Sequence, residues 1–164
     1  MLNPKIGMED LKFRVQAHSE NSTKTVVKAR GFEIILDEPA SLGGTNEGAN
    51  PVEYILAAFC GCINVMGHVI AKEMNFELRG MKIKMCGSLN PERLFGTSFT
   101  ERAGYKQIEL SIEPDCDAPI EVLEEWLERI EDRCPVSDNL SNRTPMNLLL
   151  KGKFHSIQKI SELN

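Results

Sequence analysis

The sequence predicts an α+β fold, and three of its patterns indicate that class. Short runs of alternating apolar residues indicate antiparallel strands, a long apolar segment near the middle indicates a buried helix, and further strands and a second helix follow. Because strands and helices are grouped rather than regularly alternating, a parallel sheet of repeated units is not expected. With 164 residues, 41% of them apolar, residues 1–164 are predicted to form a single domain.

Residues 11–36 are predicted to form two or three antiparallel strands. Their apolar residues alternate in short runs, and the runs are separated by the turn-rich segment HSENSTK and by Arg30-Gly31. Residues 37–50 are dense in Gly, Pro, Asn and Ser, which is typical of a loop. This loop is expected to lead into a helix.

A long helix is predicted from Pro51 to about Asn75. Asn50 suits the cap position and Pro51 suits the first turn. Large apolar residues cover one broad face, and mostly small residues cover the other, so the helix is expected to be central and covered on both sides. Its most apolar stretch, residues 54–70, is short for a membrane span and contains polar residues, which favours a buried helix.

After the long helix, strands are predicted over residues 81–87 and 106–113, with a long polar excursion between them. Pro119 opens a second amphipathic helix that runs through Arg133. The Cys-Pro step that follows breaks this helix and could start a short new turn. Residues 148–160 are predicted to form a last strand.

Charge and composition exclude several classes of protein. The net charge is -5, and the basic residues form no stripe, so no nucleic-acid partner is expected. The first residues lack the basic start and apolar run of a secretory signal, which predicts a cytoplasmic protein without a membrane partner. In that reducing setting the five cysteines are not expected to form a disulfide framework.

The cysteines differ in what their surroundings allow. Cys60 and Cys62 form a C-x-C pair on the predicted helix, so they point about 200° apart and cannot face one pocket. Zinc would need another spacing and further ligands, so structural zinc is only an alternative, and no metal or organic cofactor is expected. Cys86 is predicted to pack in a core, and carboxylates beside Cys116 disfavour a thiolate there. Cys134 stands at a helix break, where it could present its sulfur at a turn.

Two motifs resemble those of the OsmC/Ohr family (osmotically inducible protein C-like, organic hydroperoxide resistance). The segment GGTNEGANPVEYILAAFCGCINV contains the pattern N-P-x-E-x-x-x-A-A-x-x-G-C, which ends at Gly61-Cys62, and RCPVSDNLSNRTP contains the Cys-Pro-Val turn at residues 134–136. With FEIILDEPASLGG before the helix, the resemblance covers about residues 32–152. It implies an OsmC-like fold of antiparallel sheets with a long central helix, and two subunits interlocked as a homodimer.

The resemblance also implies the chemistry of a thiol peroxidase without a cofactor. Cys62 would attack the peroxide and become a sulfenic acid, and Cys134 would resolve it to a disulfide. An external dithiol, carried by lipoylated proteins in the Ohr branch, would restore both thiols. The implied substrates are organic hydroperoxides, with hydrogen peroxide left open, in an interface pocket lined by Phe59 and Ile63. The alternative is a redox-sensing or ligand-binding protein of the same fold without efficient turnover.

A thiolate at Cys62 needs a cation, because this residue lies about three turns inside its helix, beyond the main effect of the helix dipole. In Ohr-like members the cation is an arginine from the early strands, paired with a glutamate near the helix start. Here that region offers Lys24, flanked by Arg14 and Arg30, and Glu53 follows the Ohr glutamate position by one residue. Lys24, Arg30 and Glu53 are therefore the candidate supporting residues, and a lysine lacks the planar fork of a guanidinium.

Overall fold

The computed structural model describes residues 10–151, which divide into two compact units. One unit comprises the described residues up to Ala57, and the other comprises those from Ala58 onward. The long helix α1, Pro51–Glu73, begins in the first unit and continues into the second. The organisation of residues 1–164 as a single domain stays a prediction.

The first unit contains a three-stranded antiparallel sheet. Strand β1 is Gln16–Ser19, β2 is Thr25–Ala29 and β3 is Phe32–Leu36, in the spatial order β1-β2-β3. In the central pairing Val27 lies opposite Ile34. The two or three antiparallel strands predicted within residues 11–36 are found as three, and the first begins at Gln16.

The loop after β3 is organised around the buried carboxylate of Asp37. It accepts hydrogen bonds from the hydroxyl of Thr45, at 2.6 Å, and from the backbone N–H groups of Glu38, Thr45 and Glu47. The Thr45 hydroxyl and these amides hold the pKa of Asp37 well below its usual range, against the opposing effect of burial. The loop, which contains one 3-10 turn, Ala40–Leu42, therefore folds around a permanent negative charge.

The second unit contains a two-stranded antiparallel sheet and two further helices. Strand β4 is Leu78–Ser88, β5 is Gln107–Cys116, α2 is Ile120–Arg133 and α3 is Pro135–Ser141. Strand β4 extends beyond the predicted residues 81–87 at both ends, and β5 runs past the predicted end of 106–113, because Leu78 pairs with Cys116 and Gly80 with Asp115. The α+β class, the antiparallel sheets and the long helix are thus confirmed.

Helix α1 packs against α2 in the core of the second unit. The indole Nε1–H of Trp126 donates a hydrogen bond to the carbonyl oxygen of Gly67 at 2.9 Å, and Trp126 is 2% exposed. A β-carbon at Gly67 would lie 3.0 Å from Cζ2 of this indole, so glycine permits the close approach. The buried residues of this core are Phe59, Ile63, Ile70, Ala71, Leu78, Trp126, Ile130 and Cys134.

The small-residue face of α1 is covered over only part of its length, which corrects the expectation of a helix covered on both sides. Gly67 and Ala71 are buried, whereas Ala57, Gly61 and Asn64 are exposed. The reason is that Trp126 approaches the second half of the helix, at Gly67, and the first half of this face has no such neighbour in the described chain. Large apolar residues in the first half of α1, such as Ile55, are also partly exposed.

Among the described residues, α1 is long and apolar enough by length and composition to cross a membrane. The core helix of a soluble protein meets the same criteria, and α1 carries a buried stripe through Phe59, Ile63 and Ile70. These residues pack against the rest of the second unit. Packing of this kind is typical of a core helix.

Two regions differ from the predicted elements or lie beyond them. Phe13 and Val15, in the first predicted run, precede β1 and are exposed. The last predicted strand, residues 148–160, falls mostly outside the described residues, and its described part has one bridge residue, Leu150.

Replacing Trp126 by phenylalanine is expected to lower the free energy of unfolding by about 2 kcal/mol. The variant loses the hydrogen bond to Gly67 and leaves a small cavity in the core. Urea unfolding followed by circular dichroism measures the change. The control Leu127→Ala removes a neighbouring side chain that is 46% exposed, and it should stay within about 1 kcal/mol of the wild type. Equal losses in both variants would contradict the anchoring role of Trp126.

Candidate active site

Two cysteines from distant parts of the sequence meet in the second unit. The Sγ atoms of Cys62 and Cys134 lie 3.0 Å apart, with the Cys134 thiol as hydrogen-bond donor. Both are free thiols, and Cys134 is only 1% exposed. Since a covalent S–S bond measures about 2.05 Å, an approach of about 1 Å would join the two sulfur atoms.

The start of α1 determines where Cys62 stands. The backbone N–H of Glu53 donates to Oδ1 of Asn50 at 2.9 Å, and the backbone N–H of Asn50 donates to Oε2 of Glu53 at 2.8 Å. This reciprocal capping box fixes the first helical residue as Pro51. Cys62 follows about three turns later, on the side of the helix that faces the core of the second unit.

The proline after Cys134 explains the position of the second sulfur. Pro135 has no backbone N–H and cannot continue α2, so Cys134 adopts an extended conformation, with φ -81° and ψ 110°, between α2 and α3. There it caps α3, and its Sγ accepts a hydrogen bond from the backbone N–H of Ser137 at 3.4 Å. The predicted helix break at the Cys-Pro step is confirmed, and it places the sulfur at the start of a new helix.

Apolar side chains surround the pair. Phe59 and Ile63, which were expected to line a pocket, are buried in the core that also contains Cys134. Val136 and Leu140 of α3 pack against the same core, as does Cys62 itself. Cys134 is therefore shielded from water, whereas Cys62 packs on the core and stays partly exposed.

This environment shifts the ionisation of Cys62. Burial raises the pKa of the Cys62 thiol, and the hydrogen bond with Cys134 raises it further, with a smaller contribution from charge repulsion between the two sulfur atoms. A backbone hydrogen bond from Val136, at the start of α3, acts in the opposite direction. Within the second unit, this backbone amide favours the thiolate, and the cation that the resemblance implies stays a prediction.

Lys24, the expected cation, has carboxylate partners in the first unit. Its Nζ lies 2.8 Å from the carboxylate of Glu20 and 2.6 Å from that of Glu47. These two hydrogen bonds raise the pKa of Lys24 above its usual range, so it is charged at every ordinary pH. Its role toward Cys62 stays a prediction.

The two other candidate supporting residues also have local contacts. The guanidinium of Arg30 lies over the ring of Phe32, 5.0 Å from its centroid, and Arg30 has a left-handed backbone with φ 57°. The carboxylate of Glu53 caps the start of α1. On a helix this residue points away from Cys62, since nine positions correspond to two and a half turns. Their roles toward Cys62 stay predictions.

The other three cysteines stand in different settings. Cys60 lies two positions before Cys62 on α1 and is partly exposed. The prediction that Cys86 packs in a core is wrong, because this residue is exposed on β4. It shares a strand face with Lys84, while Ile83 and Met85 point to the other, partly buried face. Cys116 ends β5 and is partly exposed.

The amides of Val136 and Ser137 are functional groups that the sequence prediction did not identify. Both belong to the first turn of α3 and donate to the two sulfur atoms. A proline directly after a cysteine is the signal that could have indicated them, because proline favours the first helical position and leaves the next amides free. Over residues 10–151, no group of three or more His, Cys, Asp or Glu side chains is arranged to hold a metal ion.

One protein-family model and several solved structures are similar to this chain. Residues 44–149 match the family model described as OsmC-like protein. No curated protein matches the chain. An OsmC-like protein from Mycoplasma pneumoniae has a similar structure, with a TM-score of 0.71 and 20% sequence identity, over 81% of this chain and 89% of that one.

Two solved structures named for hydroperoxide resistance are also similar. The organic hydroperoxide resistance protein OsmC from Legionella pneumophila has a TM-score of 0.58 and 18% identity, over 79% of this chain and 89% of that one. An organic hydroperoxide resistance protein from Elizabethkingia anophelis has a TM-score of 0.62 and 18% identity, over 80% of this chain and 89% of that one. Because the sequence identities are only 18–20%, these three structures show that the fold is similar and nothing more.

The raised pKa of Cys62 predicts slow reaction with iodoacetamide at neutral pH and an increase in rate as the pH rises. Since only the thiolate reacts, the midpoint of the rate profile should lie above the value of about 8.5 for an ordinary cysteine. Peptide mass spectrometry of samples quenched at several times measures the alkylation of Cys62 between pH 6 and pH 10.

The same thiol in urea-unfolded protein is the control, because unfolding removes the burial. Its midpoint should lie below that of the folded protein. A folded-state midpoint equal to or lower than this control would contradict the direction of the shift.

Proposed function

We propose that this chain, which belongs to the family of OsmC-like proteins, is a cysteine-dependent peroxidase that reduces organic hydroperoxides. The observation that carries the proposal is the 3.0 Å contact between the Sγ atoms of Cys62 and Cys134. Such a contact is what a peroxidatic thiol and its resolving thiol require. The names of two structural relatives, which refer to organic hydroperoxide resistance, support the choice of substrate.

In the first step the Cys62 thiolate attacks one oxygen of the hydroperoxide. The O–O bond breaks, Cys62 becomes a sulfenic acid, and the other oxygen takes up a proton and leaves as an alcohol. The peroxide is reduced by two electrons and the sulfur is oxidised by two. The backbone amide of Val136 supports the thiolate that starts this step.

In the second step Cys134 attacks the sulfur of the sulfenic acid. The thiol proton and the departing hydroxyl leave as water, and an S–S bond forms between Cys62 and Cys134. An external dithiol then reduces this bond by thiol-disulfide exchange and becomes a disulfide itself. We propose a dihydrolipoyl group on a protein as this reductant, following the resemblance to the Ohr branch.

The surroundings of the pair support an apolar peroxide. Phe59, Ile63, Val136 and Leu140 belong to or pack on the core that contains Cys134. An alkyl group gains free energy by leaving water for such surroundings, whereas hydrogen peroxide has no apolar part. Hydrogen peroxide is therefore proposed as the poorer substrate.

Replacement of Cys62 by serine is expected to abolish peroxide consumption with dihydrolipoamide as the donor, because no other thiol takes its place. Cys134→Ser should leave the first oxidation intact and prevent the intramolecular disulfide, so that a trappable sulfenic acid accumulates. Cumene hydroperoxide consumption and intact mass measure the two effects. Cys60→Ser, on the same helix, is the control and should retain turnover. Unchanged turnover in Cys62→Ser would contradict the proposal.

A redox sensor is the second candidate function, and the raised pKa of Cys62 is the observation that favours it. A thiol that is mostly protonated at neutral pH reacts slowly, and slow oxidation suits a signal better than detoxification. One equivalent of peroxide should oxidise either kind of protein once. Repeated turnover with dihydrolipoamide or thioredoxin distinguishes the peroxidase, because a sensor is oxidised and then stalls.

We also propose that two copies of the chain form a homodimer. Exposed apolar residues on α1 support this, since Ile55 is 40% exposed and Val65 is 53% exposed. Light scattering coupled to size exclusion should give about twice the chain mass of 18.4 kDa. Val65→Lys should shift the population toward the monomer, because burial of an unpaired charge is costly. A monomeric wild type at micromolar concentration would contradict this proposal.

A further inference from the structure

We infer that the ion pair between Arg133 and Glu73 positions Cys134 for attack on oxidised Cys62. This inference rests on the proposed function, in which Cys134 resolves the sulfenic acid. Arg133 is a positioning residue, because its guanidinium contacts Glu73 and acts on the sulfur only through the backbone. It immediately precedes Cys134 in the sequence.

The contact between the two side chains is bidentate. Nη1 of Arg133 donates to Oε2 of Glu73, and Nη2 donates to Oε1 at 3.0 Å. Two parallel hydrogen bonds between a guanidinium and a carboxylate restrict direction as well as distance. The pair therefore fixes the orientation of the last residue of α2 relative to the end of α1.

Glu73 and Cys62 lie along one side of α1. They are eleven positions apart, which corresponds to about three full turns, so their side chains project in nearly the same direction. At one end of this stripe Glu73 holds Arg133, and at the other end Cys62 meets Cys134. Two consecutive residues thus contact α1 at two points, which limits how the chain between α2 and α3 can rotate.

The need for such a restraint follows from the backbone at Cys134. This residue is extended and lies between two helices, outside the regular hydrogen bonds of α2. The carbonyl oxygen of Cys134 accepts from the N–H of Asp138 at 3.0 Å, which holds it from the α3 side. The Arg133–Glu73 pair holds it from the α2 side, so both flanks of the resolving cysteine are fixed.

The charges of the pair persist over the pH range in which the thiols react. The hydrogen bonds lower the pKa of Glu73 and raise that of Arg133. Both side chains are partly exposed, at 45% and 39%, so the ion pair is screened by solvent and salt. Loss of the ion pair is therefore expected to slow disulfide formation only moderately, as far as one exposed bidentate pair can.

Replacement of Arg133 by glutamine should slow formation of the Cys62–Cys134 disulfide about fivefold, which is the upper range for one exposed ion pair. The background is the full chain with Cys60, Cys86 and Cys116 replaced by serine. In one arm, cumene hydroperoxide oxidises Cys62, and stopped-flow with mass analysis follows sulfenic acid and disulfide separately. The rate of sulfenic acid formation should stay unchanged.

A second arm does not depend on peroxidase activity. Glutathione disulfide forms a mixed disulfide with Cys62, and attack by Cys134 then releases glutathione and closes the protein disulfide. Arg133→Gln should slow this release by the same factor of about five. If the peroxide arm shows no reaction and the glutathione arm shows the slowing, the positioning role stands and the proposed function fails.

Two further variants separate positioning from general stability. Arg79→Gln breaks a comparably exposed ion pair, with Asp115 and Asp117, and should leave both closure rates unchanged. The charge-reversed double variant Glu73→Arg with Arg133→Glu should restore much of the closure rate. Unchanged closure in Arg133→Gln, or equal slowing in Arg79→Gln, would overturn the inference.

Discussion

The packing of α2 on α1 is the interaction on which the candidate site depends. The hydrogen bond from Trp126 to the Gly67 carbonyl, together with the burial of Ile130, holds the two helices together over the second half of α1. Because α2 ends at Arg133, this packing brings Cys134 to the same helix that carries Cys62. A contact between residues 72 positions apart thus follows from the burial of an aromatic ring against a glycine.

Burial has opposite consequences for the two steps of the proposed reaction. It keeps the sulfur atoms close and places apolar groups next to them, which favours closure of the disulfide and suits an apolar peroxide. It also raises the pKa of Cys62 and thereby lowers the fraction of thiolate that starts the reaction. The start of α3 offsets part of this cost, because the Val136 amide favours the charged sulfur.

Charged groups of the first unit organise the loop that precedes α1. Asp37 is fully buried, and its carboxylate accepts hydrogen bonds from both ends of the loop that precedes α1. Lys24 pairs with Glu47 of the same loop. These contacts hold the chain in position ahead of the capping box, so the charges of this region first serve to build the start of the helix.

The sequence by itself determined the class of the fold, the starts of the two longer helices and the family. Asparagine and proline at residues 50–51 and the proline at 119 fix helix starts through local backbone chemistry, and period-two alternation identifies β4 and β5. The motif around Cys62 identified the candidate pair through its resemblance. Each of these signals is local, since it depends on residues within a few positions of one another.

Only the tertiary structure decided the contacts that span long stretches of sequence. Alternation along β4 showed two faces but not which of them is buried, so Cys86 was assigned to the core and is exposed. Three contacts join residues 23 to 72 positions apart: the pair of Lys24 with Glu47, the pair of Arg133 with Glu73, and the 3.0 Å contact of the two sulfur atoms. Such contacts depend on how helices and strands pack against one another. Packing in turn depends on the shape and buried area of the whole core, which no local sequence pattern specifies.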